Sequence, residues 1–305
     1  METILAIGTV ALDSIETPFG KVEEILGGSG THFAAAASCF APVRLLANVG
    51  EDFPRKSLAF LEKRGVDLSG IQVSKGRSFR WSGRYSYDMN NRETLKTELG
   101  VLNDFKGEVP AAWRKNRHLF LGNTHPAIQG KVLDQVERPS VVSLDTMNFY
   151  IEGEPALLKK VMARVDLVII NQEEARQFSN RTSPVKAVQF IHALGVKAVV
   201  IKQGEYGALL FYKGEIFSAP GLPLEEVKDP TGAGDSFAGG LVGYLSRVDR
   251  FDFETLKKAV IVGSAMASFN VEDFGTDRLM DISTEEIRGR IAEFQRLGSF
   301  GKIEI

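Results

Sequence analysis

Four consecutive aliphatic side chains, Leu167-Val168-Ile169-Ile170, constrain this chain more than any other feature. A strand sends successive side chains to opposite faces, so an unbroken apolar run needs cover on both. Comparable runs recur at Ile4–Ile7, 43–48, His118–Leu121, Val141–Asp145 and Ala198–Lys202. Helical patterns lie between them, near 31–40, 54–64, 129–136, 154–164 and 184–194. This alternation predicts an α/β fold with a doubly wound, mostly parallel sheet flanked by helices. Two stretches, about 11–26 and 78–99, read instead as strands with one polar side and no crossover helix. They are expected to form either a small projecting β-sheet or two surface hairpins. After Lys202 a hairpin at 208–212 and 215–218 precedes helices near 233–245, 253–269 and 284–297. No repeat or linker interrupts the pattern, so one domain over 1–305 with an appendage is expected.

The chain has 305 residues, 44% apolar and 25% charged, with a formal net charge of -2. That balance suits a soluble globular core and, without a basic block, argues against nucleic acid as a partner. The single cysteine, Cys39, sits in an alanine-rich stretch and is expected to pack rather than react. One thiol makes no internal disulfide, which fits a reducing compartment. No basic leader and no apolar run of membrane-spanning length occur, so a cytoplasmic protein without membrane association is expected.

The chemistry concentrates in Asp229-Pro230-Thr231-Gly232-Ala233-Gly234-Asp235-Ser236-Phe237-Ala238-Gly239-Gly240. Small residues where a loop enters a helix let backbone N–H groups approach an anion. A carboxylate beside such a turn would repel the same phosphate. Asp235 makes sense if it faces an incoming hydroxyl and takes its proton during phosphoryl transfer. The bland alternative is a glycine-rich cap before a closely packed helix.

The whole string closely resembles the C-terminal signature of the ribokinase-like, or PfkB, carbohydrate kinases. Further matches follow in order: Gly27-Gly28-Ser29-Gly30, Val49-Gly50-Glu51-Asp52, Asn171-Gln172-Glu173-Glu174 and Gln203-Gly204-Glu205-Tyr206-Gly207. No Walker-type P-loop string occurs. The resemblance implies a ribokinase-like fold whose projecting strands form a lid over the acceptor, and ATP with Mg²⁺ as cofactors. It implies Asp235 as base and the backbone of Gly232, Ala233 and Gly234 as anion hole. Asn171 and Glu174 would act near the phosphates and Mg²⁺, Glu174 through water. Lys202, Gly204 and Gly207 would line the nucleotide, joined by Thr231 and Ser264. Asp229 resembles a position associated with a monovalent cation in some members.

At the acceptor end the resemblance implies Asp13, Gly27 and Gly28. His32 stands where ribokinase-like members usually carry Asn, and is either a substrate contact or a helix residue packed on the core. Arg84 in the lid, Asn123 and Asn148 after strand ends are further candidate contacts. The expected activity is phosphorylation of a sugar or polyol hydroxyl. A nucleoside kinase and a catalytically silent nucleotide-binding regulator are the alternatives. Phe19, Trp81 and Tyr85 are residues that would serve a nucleoside's base. Ile25, Trp81, Tyr85 and Tyr87 supply apolar material for a homodimer paired through the lid.

Overall fold

Residues 2–299 and 301 are described in a computed structural model, and the remaining residues of the 1–305 span lie outside the description. The runs that are apolar on both faces become the centre of a nine-stranded sheet. Its strands are β1 (Ile4–Ile7), β4 (Val43–Gly50), β5 (Ile71–Ser74), β8 (His118–Leu121), β9 (Val141–Asp145), β10 (Leu167–Asn171), β11 (Ala198–Lys202), β12 (Ala208–Tyr212) and β13 (Glu215–Ala219). The order is β13-β12-β11-β10-β9-β8-β1-β4-β5. The strands from β11 to β5 pair in parallel, while β12 and β13 add an antiparallel edge. Leu167, Val168, Ile169 and Ile170 are wholly buried, as their pattern demands. They divide between two apolar cores, one on each face of the sheet.

On one face the helices Ser29–Ala37, Ala233–Val248 and Phe253–Asn270 lie unusually close together. A Cβ on Gly239 would fall 2.4 Å from the Phe33 carbonyl, so Gly239 is a helix-packing residue. The sequence pattern blurs some helix limits on both faces. The helix expected at 154–164 is Pro155–Met162, opened by Pro155, and a further short helix, Asn148–Gly153, precedes it unforeseen. The stretch 54–64 is a 3-10 turn followed by Ala59–Lys63, and β5 was not foreseen at all.

The two polar-faced stretches form a second sheet with the order β3-β2-β6-β7: β2 (Ala11–Thr17), β3 (Gly20–Gly27), β6 (Arg80–Tyr85) and β7 (Arg92–Glu98). Parallel pairing of β2 with β6 joins two hairpins distant in sequence. Among the described residues no helix is long and apolar enough to cross a membrane.

Candidate active site

The parallel strands deliver their last residues to one edge of the main sheet, the edge where open α/β sheets bind ligands. Asp145 ends β9, Asn171 ends β10 and Lys202 ends β11, with Asn171 and Lys202 in register. Lys202 Nζ donates to Asp145 Oδ2 at 3.0 Å and Oδ1 at 3.3 Å. Burial works against its charge, but Asp145, Glu174 and Asp235 hold Lys202 protonated, above the ordinary 10.5. A Cβ on Gly234 would lie 2.9 Å from that ammonium, which therefore sits against the first turn of the helix Ala233–Val248. Asp145 escaped the sequence reading as a functional residue because only strand order brings it to Lys202.

Gly232 precedes this helix with φ 76°, a left-handed backbone that favours glycine. The turn leaves a distinctive set of donors. Ala233 N–H is spent on the Pro230 carbonyl at 3.2 Å. The N–H groups of Gly232, Gly234 and Asp235 have no acceptor among the described residues. Of the three N–H groups expected to meet an anion, those of Gly232 and Gly234 are thus free among the described residues and that of Ala233 is not, while Asp235 N–H is free beside them. Burial pushes the Asp235 carboxyl up to about 7, with Asp145 adding to the rise and Lys202 and Arg92 opposing it.

Asn171 and Glu174 form a reciprocal cap on the helix Gln172–Ser179. Asn171 Oδ1 accepts from Glu174 N (2.8 Å), and Glu174 Oε2 accepts from Asn171 N (2.9 Å). The cap also fixes Glu174 beside Lys202, in a site where burial raises its carboxyl to about 7. Next to this cluster opens a cavity of about 540 Å³. Lys202, Gly204, Gly207, Gly234 and Ser264 line it, with an apolar wall that includes Val227, Val271 and Phe294. Asn90, on the turn between β6 and β7, reaches this rim and donates to Glu205 Oε1 at 3.1 Å.

Across from the cavity, Asp13 is 4% exposed on β2, and its carboxylate lies where a Gly27 side chain would be. Burial raises it to about 7, against a hydrogen bond from the Gly28 backbone. Its Oδ1 has no partner. The same is true of Asn123 Oδ1, whose amide nitrogen reaches the Met147 sulfur and whose carbonyl accepts from Ser29 Oγ at 3.5 Å. Two buried, acceptor-type oxygens therefore await donors near Gly28 and Ser29.

Three candidates fall elsewhere. His32 is 1% exposed and lies beneath Gly232, where any side chain on that glycine would strike its ring. Its Nδ1 bonds Asn270 Oδ1 at 2.8 Å, and burial lowers its pKa to about 4, so it is neutral. Asn270 also accepts from Ser236 Oγ and donates to the Thr231 carbonyl, so His32 belongs to a brace under the loop. Arg84 points to the outer lid face and forks onto Glu16 at 3.0 and 3.2 Å, because it alternates with the inward Tyr85. Asn148 is exposed at the start of its helix and makes no side-chain hydrogen bond among the described residues. Thr231 Oγ1 donates to the Tyr85 hydroxyl at 3.1 Å, tying the lid to the loop before the helix Ala233–Val248. Asp229, expected near a monovalent cation, is fully buried and accepts from Thr231 N and Gly275 N. Its carboxylate ties two loops together.

The family model for pfkB family carbohydrate kinases matches residues 1–282. The chain belongs to this family. Among PfkB relatives, a cytidine kinase of Thermococcus kodakarensis is 31% identical over 259 residues, covering 81% of this chain and 90% of that protein. A 2-dehydro-3-deoxygluconokinase of Thermoproteus tenax is 27% identical over 262 residues, covering 79% and 80%. The fold matches the crystal structure of Methanocaldococcus jannaschii nucleoside kinase with a TM-score of 0.77 at 21% identity, over 96% of this chain and 99% of that one. The PfkB lid and main sheet expected from the sequence are thus the architecture seen, and the chain is a kinase of a small substrate.

Proposed function

We propose that this protein transfers the γ-phosphoryl group of ATP to a ribosyl hydroxyl of a nucleoside. The carrying observation is the pair of unpartnered buried oxygens, Asp13 Oδ1 and Asn123 Oδ1. Both accept hydrogen bonds when Asp13 is ionised, and vicinal hydroxyls donate them. An acceptor lacking those hydroxyls would leave two buried polar atoms unpaired, which a site of this kind rejects strongly. A free sugar satisfies the same pair. Nucleosides are favoured because the inner lid face adds an aromatic plate, with the Trp81 ring lying over Gly83. The cytidine and nucleoside kinases among the relatives support the same reading.

In this reading the acceptor hydroxyl gives its proton to Asp235 as its oxygen bonds to the γ-phosphorus. The bond to the β,γ-bridging oxygen breaks, and ADP leaves. Charge developing on the transferring group meets the free N–H donors of Gly232, Gly234 and Asp235. Lys202 keeps the neighbouring carboxylates neutralised. Among the described residues no three His, Cys, Asp or Glu side chains converge as a metal cage. A hydrated Mg²⁺ held mainly by phosphates, with Glu174 reaching it through water, fits that donor set. When bound it would offset phosphate charge.

The test is an ATP-consumption panel of cytidine, adenosine, ribose, fructose and an inositol. A nucleoside should give the highest kcat/KM. Asp235→Asn should stay folded and lose about 10²–10⁴-fold in kcat. A free sugar leading the panel by orders of magnitude would reject the nucleoside. Near-normal turnover by Asp235→Asn would reject the base.

A further inference from the structure

The lid strands carry five basic side chains, and four of them are neutralised. Lys21 meets Glu23, Arg80 meets Glu24 and Asp52, Arg84 meets Glu16, and Lys96 meets Glu98. Arg92 has no carboxylate within ion-pair distance among the described residues, although its strand and neighbours are rich in glutamate.

Strand register sets where it points. Arg92 pairs with Tyr85, and Arg84 with Glu93. Directly paired residues of an antiparallel ladder share a face. Tyr85 faces inward, its hydroxyl on Thr231 beside the catalytic loop, so Arg92 faces inward too. The guanidinium stacks over the Trp81 ring at 5.3 Å, which holds it without neutralising it. Its charge acts on Asp13 at the acceptor end, on Glu174 at the phosphate end and on Asp235 between them. Trp81, under the guanidinium, pairs with Asp13 on β2, and Tyr85, opposite Arg92, is bonded by Thr231, so the guanidinium lies on the lid face turned toward Asp13 and the Thr231 loop. Arg92 itself is exposed, whereas Lys202, the buried cation of the cluster, is already engaged by Asp145.

We propose that Arg92 is a catalytic residue carried by the lid, contacting the transferring phosphoryl group and stabilising its charge as the bond to ADP breaks and the bond to the acceptor oxygen forms. The proposal rests on the kinase reading of the site but not on the identity of the acceptor. Atoms balance without it: the acceptor proton goes to Asp235 and the leaving electron pair to ADP. Arg92 supplies charge only. Because its donors sit on the lid, that charge arrives when the lid covers both substrates. A planar fork suits phosphoryl oxygens better than a lysine's point charge does.

The experiment compares wild type with Arg92→Gln, Arg92→Lys and Arg92→Ala, using whichever acceptor wild type phosphorylates fastest. Failure of the nucleoside reading then shows in the wild-type panel and leaves the Arg92 ratios interpretable. Arg92→Gln should lower kcat by about 10²–10³-fold, the range for losing one transition-state donor, with both KM values within about threefold. Arg92→Lys should fall between, and guanidinium ion should restore part of the rate to Arg92→Ala. Three results overturn the proposal: kcat within about threefold of wild type, a raised acceptor KM with kcat kept, or a loss of rate that accompanies a lowered Tm and resists guanidinium.

Discussion

Burial raises Asp13 to about 7, against an ordinary 3.8, and this makes one side chain a liability to the fold at neutral pH. Between those two values the folded chain holds a proton that the unfolded chain has released. Stability from this group is therefore fully present below the unfolded value and is lost as pH rises through about 7. Asp13→Asn removes the penalty. It should raise Tm relative to wild type at pH 8, with the difference shrinking as pH falls toward 5, while raising the acceptor KM. Thermal melts across that range check it, and a pH-independent offset would disconnect the effect from ionisation. Legibility also divides at this scale. The surroundings of Asp235 were readable because its turn, its glycines and its carboxylate are contiguous in sequence. Asp145 and Arg92 were not, because one is brought in by the order of parallel strands and the other by the register of a hairpin.

The helix Ser29–Ala37 was foreseen as an element, but not the direction of each of its faces. Gly27 and Gly28 let the chain pack closely on Asp13 and Thr9 at the start of this helix, whereas His32 turns the other way to support Gly232. A linear motif fixes the spacing of residues and leaves rotation about the helix axis to packing. His32→Asn should accordingly leave the ranking of acceptors unchanged and reduce kcat, because the brace to Asn270 loosens the loop that presents Asp235. A shifted ranking in kcat/KM would return His32 to the acceptor site. The Asn171–Glu174 pair shows the converse. Its cap and its proposed phosphate role are one geometry, since the cap is what aims Glu174 at the cluster around Lys202.

Across the whole molecule, the alternation of buried strands and helices carried the main sheet, and the absence of crossover helices carried the lid. The use of the lid's two faces was not legible, because Tyr85 turns inward to Thr231, Trp81 carries the Arg92 guanidinium and Ile25 packs at Gly275. Of the apolar residues expected to build a dimer, Tyr87 remains strongly exposed at 84%. The outer face instead carries Glu16, Arg84 and Glu93. A dimer paired through that face would be held largely by charge, so sedimentation should show it dissociating as salt rises. A salt-insensitive dimer would place the interface elsewhere. The turn between β6 and β7 has one more consequence. Its Asn90 leans on Glu205 at the rim of the cavity, while Tyr85 and Arg92 of the same hairpin lie on the inner lid face beside Thr231. In the proposed reaction one piece of backbone would roof both ligands, and its lifting would release spent nucleotide and phosphorylated acceptor as a single gated event.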